Sequence, residues 1–138
     1  LEIYPIVLNV EGMEPGVYHY NAVDHCLDAV RRGDCRQELD DVVSFQDVEV
    51  ESASVVLIYS AIFIRSTIKY SDRGYRMILM ECGEAAQNLV LTATTLGIGA
   101  CMLGGFLDNG LSKLLDIDGY QEAPLLPVVL GRAPEQTP

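Results

Sequence analysis

D-R-G-Y-R-M-I-L-M-E-C-G-E-A-A-Q-N-L-V-L-T-A-T-T-L, residues 72–96, decides the fold. Ile78, Cys82, Ala85, Leu89, Ala93 and Leu96 recur at steps of four and three, which is one face of a 3.6-residue period. The spacing predicts a helix over 73–96, about 36 Å long at 1.5 Å per residue. Ser71 or Asp72 supplies its N-cap and Gly97 its C-cap. In a chain of 138 residues, which fits one domain, such a helix is the axis. Gly83, Ala85, Ala86 and Ala93 are small, so something packs closely against it.

Working outward, the residues before and after this helix read as strands. Ser54 to Phe63 is apolar almost throughout, which predicts a buried central strand. Ile64 to Tyr70 reads as a connector. Ile3 to Val10 is a strand with Pro5 near its start, a position that an edge strand or a strand entry tolerates. Glu11 to Gly16 must turn, and Val17 to Tyr20 alternates as a second short strand. Asn21 or Asp24 caps a short helix, Asp24 to Arg32, ended by Gly33, and Cys35 to Val43 reads as another. Beyond the long helix, Asp108 caps a helix from Asn109 to Leu115, and Pro124 to Gly131 forms the last strand. The run Val48 to Ser52 is left unassigned, and Ala133 to Pro138 reads as a frayed tail.

Composition narrows the function classes. With 49% hydrophobic and 21% charged residues the chain is globular rather than disordered. A formal net charge of −11 opposes binding to nucleic acid and to anionic membrane surfaces. No apolar run reaches the roughly 18 residues that span a bilayer. Cys26, Cys35, Cys82 and Cys101 form no CxxC pair, so no metal is expected. Cys82 and Cys101 lie in apolar surroundings and read as buried free thiols, a usage that fits the reducing cytoplasm. His19 and His25 make no metal pair by spacing. The chain starts at Leu1 directly in an apolar segment, which suggests that N-terminal residues of the native protein precede it.

Three groups could carry chemistry. Gly97-Ile98-Gly99-Ala100-Cys101-Met102-Leu103-Gly104-Gly105-Phe106 follows the long helix. Because a helix precedes the glycines, this is no dinucleotide fingerprint, which needs a strand first. The backbone there either meets a flat ring or makes a tight helix-to-strand connection. Lys69-Tyr70, followed by Asp72, Arg73, Tyr75 and Arg76, either moves protons or forms a solvated segment. Arg132, after the last strand, either forks onto a phosphate or is solvated. No Ser-His-Asp or Cys-His set assembles, and Ser60 lacks the glycines of a nucleophile elbow.

Five segments in order carry a resemblance: N-V-E-G-M-E-P-G-V-Y-H-Y (9–20), K-Y-S-D-R-G-Y-R (69–76), A-A-Q-N-L (85–89), L-G-I-G-A-C-M-L-G-G-F (96–106) and A-P-L-L-P-V-V-L-G (123–131). Together they resemble the SagB/ThcOx-type dehydrogenases of the FMN-dependent nitroreductase superfamily. The likeness runs over nearly the whole chain and is weakest between Val30 and Ser52. It implies an α+β nitroreductase-like sandwich, a mostly antiparallel sheet with a long central helix. It implies that residues 1–138 form one SagB-type domain lacking the N-terminal helices, and a homodimer with FMN at the interface.

The same resemblance implies the site. Lys69 and Tyr70 match a Lys-Tyr pair that carries proton chemistry in peptide-azoline oxidation, with the flavin taking the hydride. Lys69 would need burial, or the nearby Arg73 and Arg76, to be neutral. Ala100, Met102, Leu103, Gly104 and Gly105 match the segment that approaches the flavin, and Arg132 the basic residue at its phosphate. The small-residue face of helix 73–96 and the backbone to Phe106 would form the wall for the ring. Two departures stand out. The family's Arg-Arg-Ser-type segment and Pro-Ser-x-Gly loop have no counterpart here, and Gly83-Glu84 stands where relatives often carry Gly-His. Substrates would be azoline-like rings of peptides or other small molecules. The alternatives are a generic NAD(P)H-dependent nitroreductase and a flavin-free module that acts in dimerisation. An apolar flank left by missing helices would drive self-association.

Overall fold

A computed structural model describes residues 1–43 and 50–132. Its centre is one six-stranded sheet of order β3-β2-β1-β4-β6-β5, every pair antiparallel. The strands are β1 (Glu2–Val7), β2 (Gly16–Asn21), β3 (Cys26–Arg32), β4 (Ala53–Ile62), β5 (Ile98–Met102) and β6 (Glu122–Arg132). The helices are α1 (Arg36–Val43), α2 (Ile64–Tyr70), α3 (Asp72–Thr95) and α4 (Asp108–Leu115), and a 3-10 turn at Val50–Ser52 leads into β4. This is the α+β architecture expected, around the expected long helix.

The central strand is the apolar run 53–62. It lies between β1 and β6, with Ile6 opposite Val56 and Val128 opposite Leu57. Because strand side chains alternate, each face of β4 feeds a different core. Val56 and Ile58 join Tyr4, Ile6, Val17 and Val129 under α1 and α4, which contribute Leu39, Val42, Val43, Leu111, Leu114 and Leu115. Tyr59 and Leu57 face α3, where Cys82 and Ala86 meet Val128 and Met102. Burying each large aliphatic side chain contributes about 1.5–3 kcal/mol. Ile6, Val56, Ile58 and Val128 are fully buried.

α3 spans 24 residues, close to the range read from its periodicity. Its end follows the expected stop: Leu96 closes the helix and Gly97 takes φ +70, a conformation without penalty only for glycine. β5 then runs back along α3, so that Met102 packs level with Cys82 and Ala86.

Several expectations need correction. Residues 26–32 form strand β3, not part of a helix. Asn21 does not start a helix: its Oδ1 accepts the N–H groups of Val23 and Asp24 at 3.0 and 3.1 Å, turning a β2–β3 hairpin. Residues 64–70 are helical, not a connector. β1 is interior rather than an edge, so Pro5 takes the strand-entry alternative, accommodated because the β1–β2 pairs begin only at Ile6. Ser71 and Leu107, rather than Asp108, stand at the N-cap positions of α3 and α4, neither with a side-chain capping bond. Cys82 is buried, but Cys101 is exposed on β5, one of the sheet's two edge strands. The tail 133–138 and residues 48 and 49 of the run Val48 to Ser52 lie outside the described residues, while Val50–Ser52 form the 3-10 turn.

Candidate functional site

Three sequence signals land on two regions. The first region is the edge of the sheet along β5. Arg132 lies opposite Ile98 at one end of this edge. Met102 is four residues on, about 13 Å away at 3.3 Å per residue, and Gly104 and Gly105 follow it. The N–H of Leu103 donates to the Pro127 carbonyl at 2.9 Å. Peptide groups alternate in direction along a strand, so those of Ala100 and Met102 point to the open side. Nothing lies within 4 Å of the space a side chain on Gly104 would fill. Ala100 and Met102 thus share the open side of β5, with Gly104 and Gly105 beyond its end and Arg132 opposite its start. Leu103 is not available in the same way: its side chain is fully buried in the α1–α4 core and its N–H is taken by the sheet.

Beside Arg132 the edge opens into a groove of about 470 Å³. Its walls are Leu89, Thr92 and Ala93 of α3 and Leu96 at its end, with Val55, Ile98, Leu130 and Gly131 of the sheet. This volume is in the range of small-ligand sites. Sequence reasoning missed the groove, because Leu89, Ala93 and Leu96 carry the same periodicity as the rest of the buried face. One signal was present: Thr92, Thr94 and Thr95 end an otherwise apolar turn.

The expected flavin wall needs correction. Cys82, Ala86 and Ala93 of α3 are buried, and the first two pack on Tyr59 and Val128 of the sheet. Cys82 and Ala86 thus serve close helix–sheet packing, and the groove opens on the sheet side only beside the last turns of α3, next to the β5 edge.

The second region is the corner between α2 and α3. Lys69 and Tyr70 end α2, both exposed, with the Lys69 Nζ 5.1 Å from the centre of the Tyr70 ring. The burial invoked for Lys69 is absent within this chain. Arg73 and Arg76 are also exposed, on the first turns of α3. This corner stands at one end of α3 and the Arg132 groove at the other.

A polar cluster at the β1–β4–β6 end went unforeseen. Ser60, fully buried, donates to Glu122 Oε1 at 2.5 Å. Burial, then the Glu122 carboxylate, pushes the Tyr4 hydroxyl well above the usual tyrosine range. Glu2 takes a bond from His19 at 2.7 Å and another from Arg65. Among the described residues no group of acidic, His and Cys side chains could hold a metal, and no helix is long and apolar enough to cross a membrane.

A flavin needs a flat backbone surface with peptide donors and a cation for its phosphate. The open peptide groups of Ala100 and Met102, the bare Gly104 and the Arg132 guanidinium match that need along one edge.

The comparisons with known proteins agree with this architecture. The nitroreductase family profile matches residues 5–132. The chain is 39% identical over 132 residues to the nitroreductase-family protein MJ1384 of Methanocaldococcus jannaschii, covering 96% of this chain and 65% of that protein. It is 30% identical over 138 residues to the microcin B17-processing protein McbC of Escherichia coli, covering 94% and 51%. Among solved structures, a chain of the E. coli microcin synthetase McbBCD complex with truncated pro-MccB17 superposes with a TM-score of 0.84 at 31% identity, covering 97% and 52%. A nitroreductase-like protein of Anabaena variabilis superposes at 0.86 with 31% identity, covering 94% and 26%. The chain thus spans between half and two thirds of the curated relatives named here. Profile, identity and superposition converge on one statement: this chain belongs to the nitroreductase family, with relatives among its SagB-type dehydrogenases.

Proposed function

We propose that this chain is part of an FMN-dependent oxidoreductase that dehydrogenates azoline-like rings, in a peptide or a small molecule. The observation that carries this reading is the Lys69-Tyr70 pair at the head of α3, on a fold shared at 31% identity with a microcin-synthetase chain. Ala100, Met102, Gly104 and Gly105 would line the flavin along the β5 edge, and Arg132 would hold its phosphate. When bound, FMN supplies the acceptor for the electron pair that leaves the substrate carbon. Lys69 takes the accompanying proton at Nζ, and Tyr70 holds the ammonium so formed against its ring face. The exposure of Lys69 here means that its desolvation comes from substrate, flavin or a second copy of the chain. Residues 1–138 act as one domain of a homodimer in this reading.

Purified protein should be yellow, with absorbance near 450 nm. Lys69→Ala should keep the flavin and lose about a hundredfold in turnover of a synthetic thiazoline dipeptide, the scale of a lost general base. Unchanged turnover removes the proton role. The likeness to MJ1384 favours a second reading, reduction of small nitroaromatics by NAD(P)H. There, NADPH oxidation with a nitroarene would proceed in wild type and Lys69→Ala alike.

A further inference from the structure

α2 carries Lys69 and Tyr70, yet it has no buried side chain. Seven residues are too few for a helix to hold itself in water. Its direction must therefore be set by contacts at its ends. Phe63, just ahead of α2, stacks on Tyr75 of α3 with centroids 5.6 Å apart and planes 19° apart. Gly74 of α3 is buried, and a methyl group placed on it would lie 2.9 Å from the carbonyl carbon of Ser66 and from the N of Thr67. The backbone of α2 thus rests directly on Gly74, closer than any other residue type permits.

The third feature is Ser71, the single residue between the two helices. It takes φ 51 and ψ −143, a region open to glycine and costly for a residue with a Cβ. Its N–H donates to the Thr67 carbonyl at 2.8 Å, and its carbonyl accepts the Gly74 N–H at 2.9 Å. Glycine at this position would relieve the strain and give the corner more backbone freedom. Serine keeps the corner in one narrow well.

We propose that Ser71 and Gly74 are positioning residues, which close the last turn of α2 and fix its angle on α3, and so hold the Lys69–Tyr70 pair in one arrangement for proton transfer. The inference rests on the proton role given to Lys69 above. Neither residue takes part in the chemistry: both act through the placement of the Lys69 amine.

The chain holds only two lysines, Lys69 and Lys113, and Lys113 lies on α4 across the sheet. Reductive methylation with 13C-formaldehyde therefore gives two lysine signals, with Lys113 as internal reference. In the full wild-type chain the Tyr70 ring should shift the Lys69 signal upfield of Lys113. Ser71→Gly should leave the melting temperature unchanged or raised, move the Lys69 signal back towards Lys113, and lower kcat on the thiazoline dipeptide about tenfold or more with KM unchanged. In a Lys69→Ala background Ser71→Gly should lower kcat no further. Gly74→Ala should move the Lys69 signal in the same way, and Ser71→Gly carries the test if that variant does not fold. A Lys69 signal and kcat unmoved by Ser71→Gly overturn the proposal, as does an equal loss in the Lys69→Ala background. Full activity of Lys69→Ala would instead sink the proton role, while the signal shift still decides whether Ser71 and Gly74 hold the amine.

Discussion

Glu2 shows how one carboxylate ties three elements together. Its two oxygens meet His19 of β2 and Arg65 of α2, and the His19 ring lies 4.8 Å from that of Tyr4. Burial raises its pKa, but the bonds from His19 and Arg65 together outweigh burial and lower it. A carboxylate held down in the folded state adds stability above its unfolded pKa, and that stability is lost as pH falls through the lower folded value. Glu2→Gln should therefore cost about 0.5–1 kcal/mol at pH 7, since Arg65 is solvated and the pair partly screened. The difference should shrink below pH 4. Urea unfolding of both proteins at pH 7 and pH 3 checks this, and an equal gap at the two values would refute the linkage. This cluster was hidden in the sequence, because Glu2 and Arg65 are 63 positions apart and only the β1–β4 register joins them. Arg132 and the 98–105 stretch were legible as site candidates, because glycines and a terminal cation stand out without knowledge of contacts. Leu103 was not separable from its neighbours, since the direction of each peptide group depends on the pairing with β6.

At the scale of elements, legibility follows burial. α3 and β4 could be read because a buried face writes its period into the sequence. β3 could not: every one of its residues is exposed except Arg31, so no face had to be apolar. Its strand state comes from β2, through pairs such as Tyr18 with Ala29 and Tyr20 with Leu27. α2 failed for the same reason, being short and without buried residues. The hairpin depends instead on close backbone approach. A methyl group on Gly16 would lie 2.4 Å from the Arg31 carbonyl oxygen, so Gly16→Ala must push β3 away from β2. We expect a loss of about 1–3 kcal/mol, the range for forced overpacking. Amide exchange should accelerate across residues 26–32 while α3 stays protected. Uniform exchange across both elements would show that the hairpin and the core open as one unit.

At the scale of the whole molecule, the described residues leave one side of α3 uncovered. Ile64 and Ile68 of α2, Met77, Met80 and Leu91 of α3, then Leu96 and Ile98 beyond it, are all exposed, Ile68 by 79%. A row of apolar side chains along a helix that long, on a protein of charge −11, calls for a partner surface. Past Asp72 at its start, the charges on α3 are separated along its length: Arg73 and Arg76 lie in its first turns and Glu81 and Glu84 in its middle. A two-fold contact between antiparallel copies of α3 would set the basic turns of one copy against the acidic turn of the other. It would also bring Met80 to the shallow hollow it shares with Gly83, Glu84, Gln87 and Asn88. We therefore expect a dimer at micromolar concentration by sedimentation velocity. Met80→Glu adds a third carboxylate beside Glu81 and Glu84, so it should shift the protein to monomer without lowering the melting temperature of the isolated fold, since Met80 is exposed. If Lys69 gains its desolvation from the second copy, the monomeric variant should also lose turnover of the thiazoline dipeptide at concentrations where wild type is dimeric. A wild-type chain that sediments as a monomer at tens of micromolar would leave this apolar flank to a different partner.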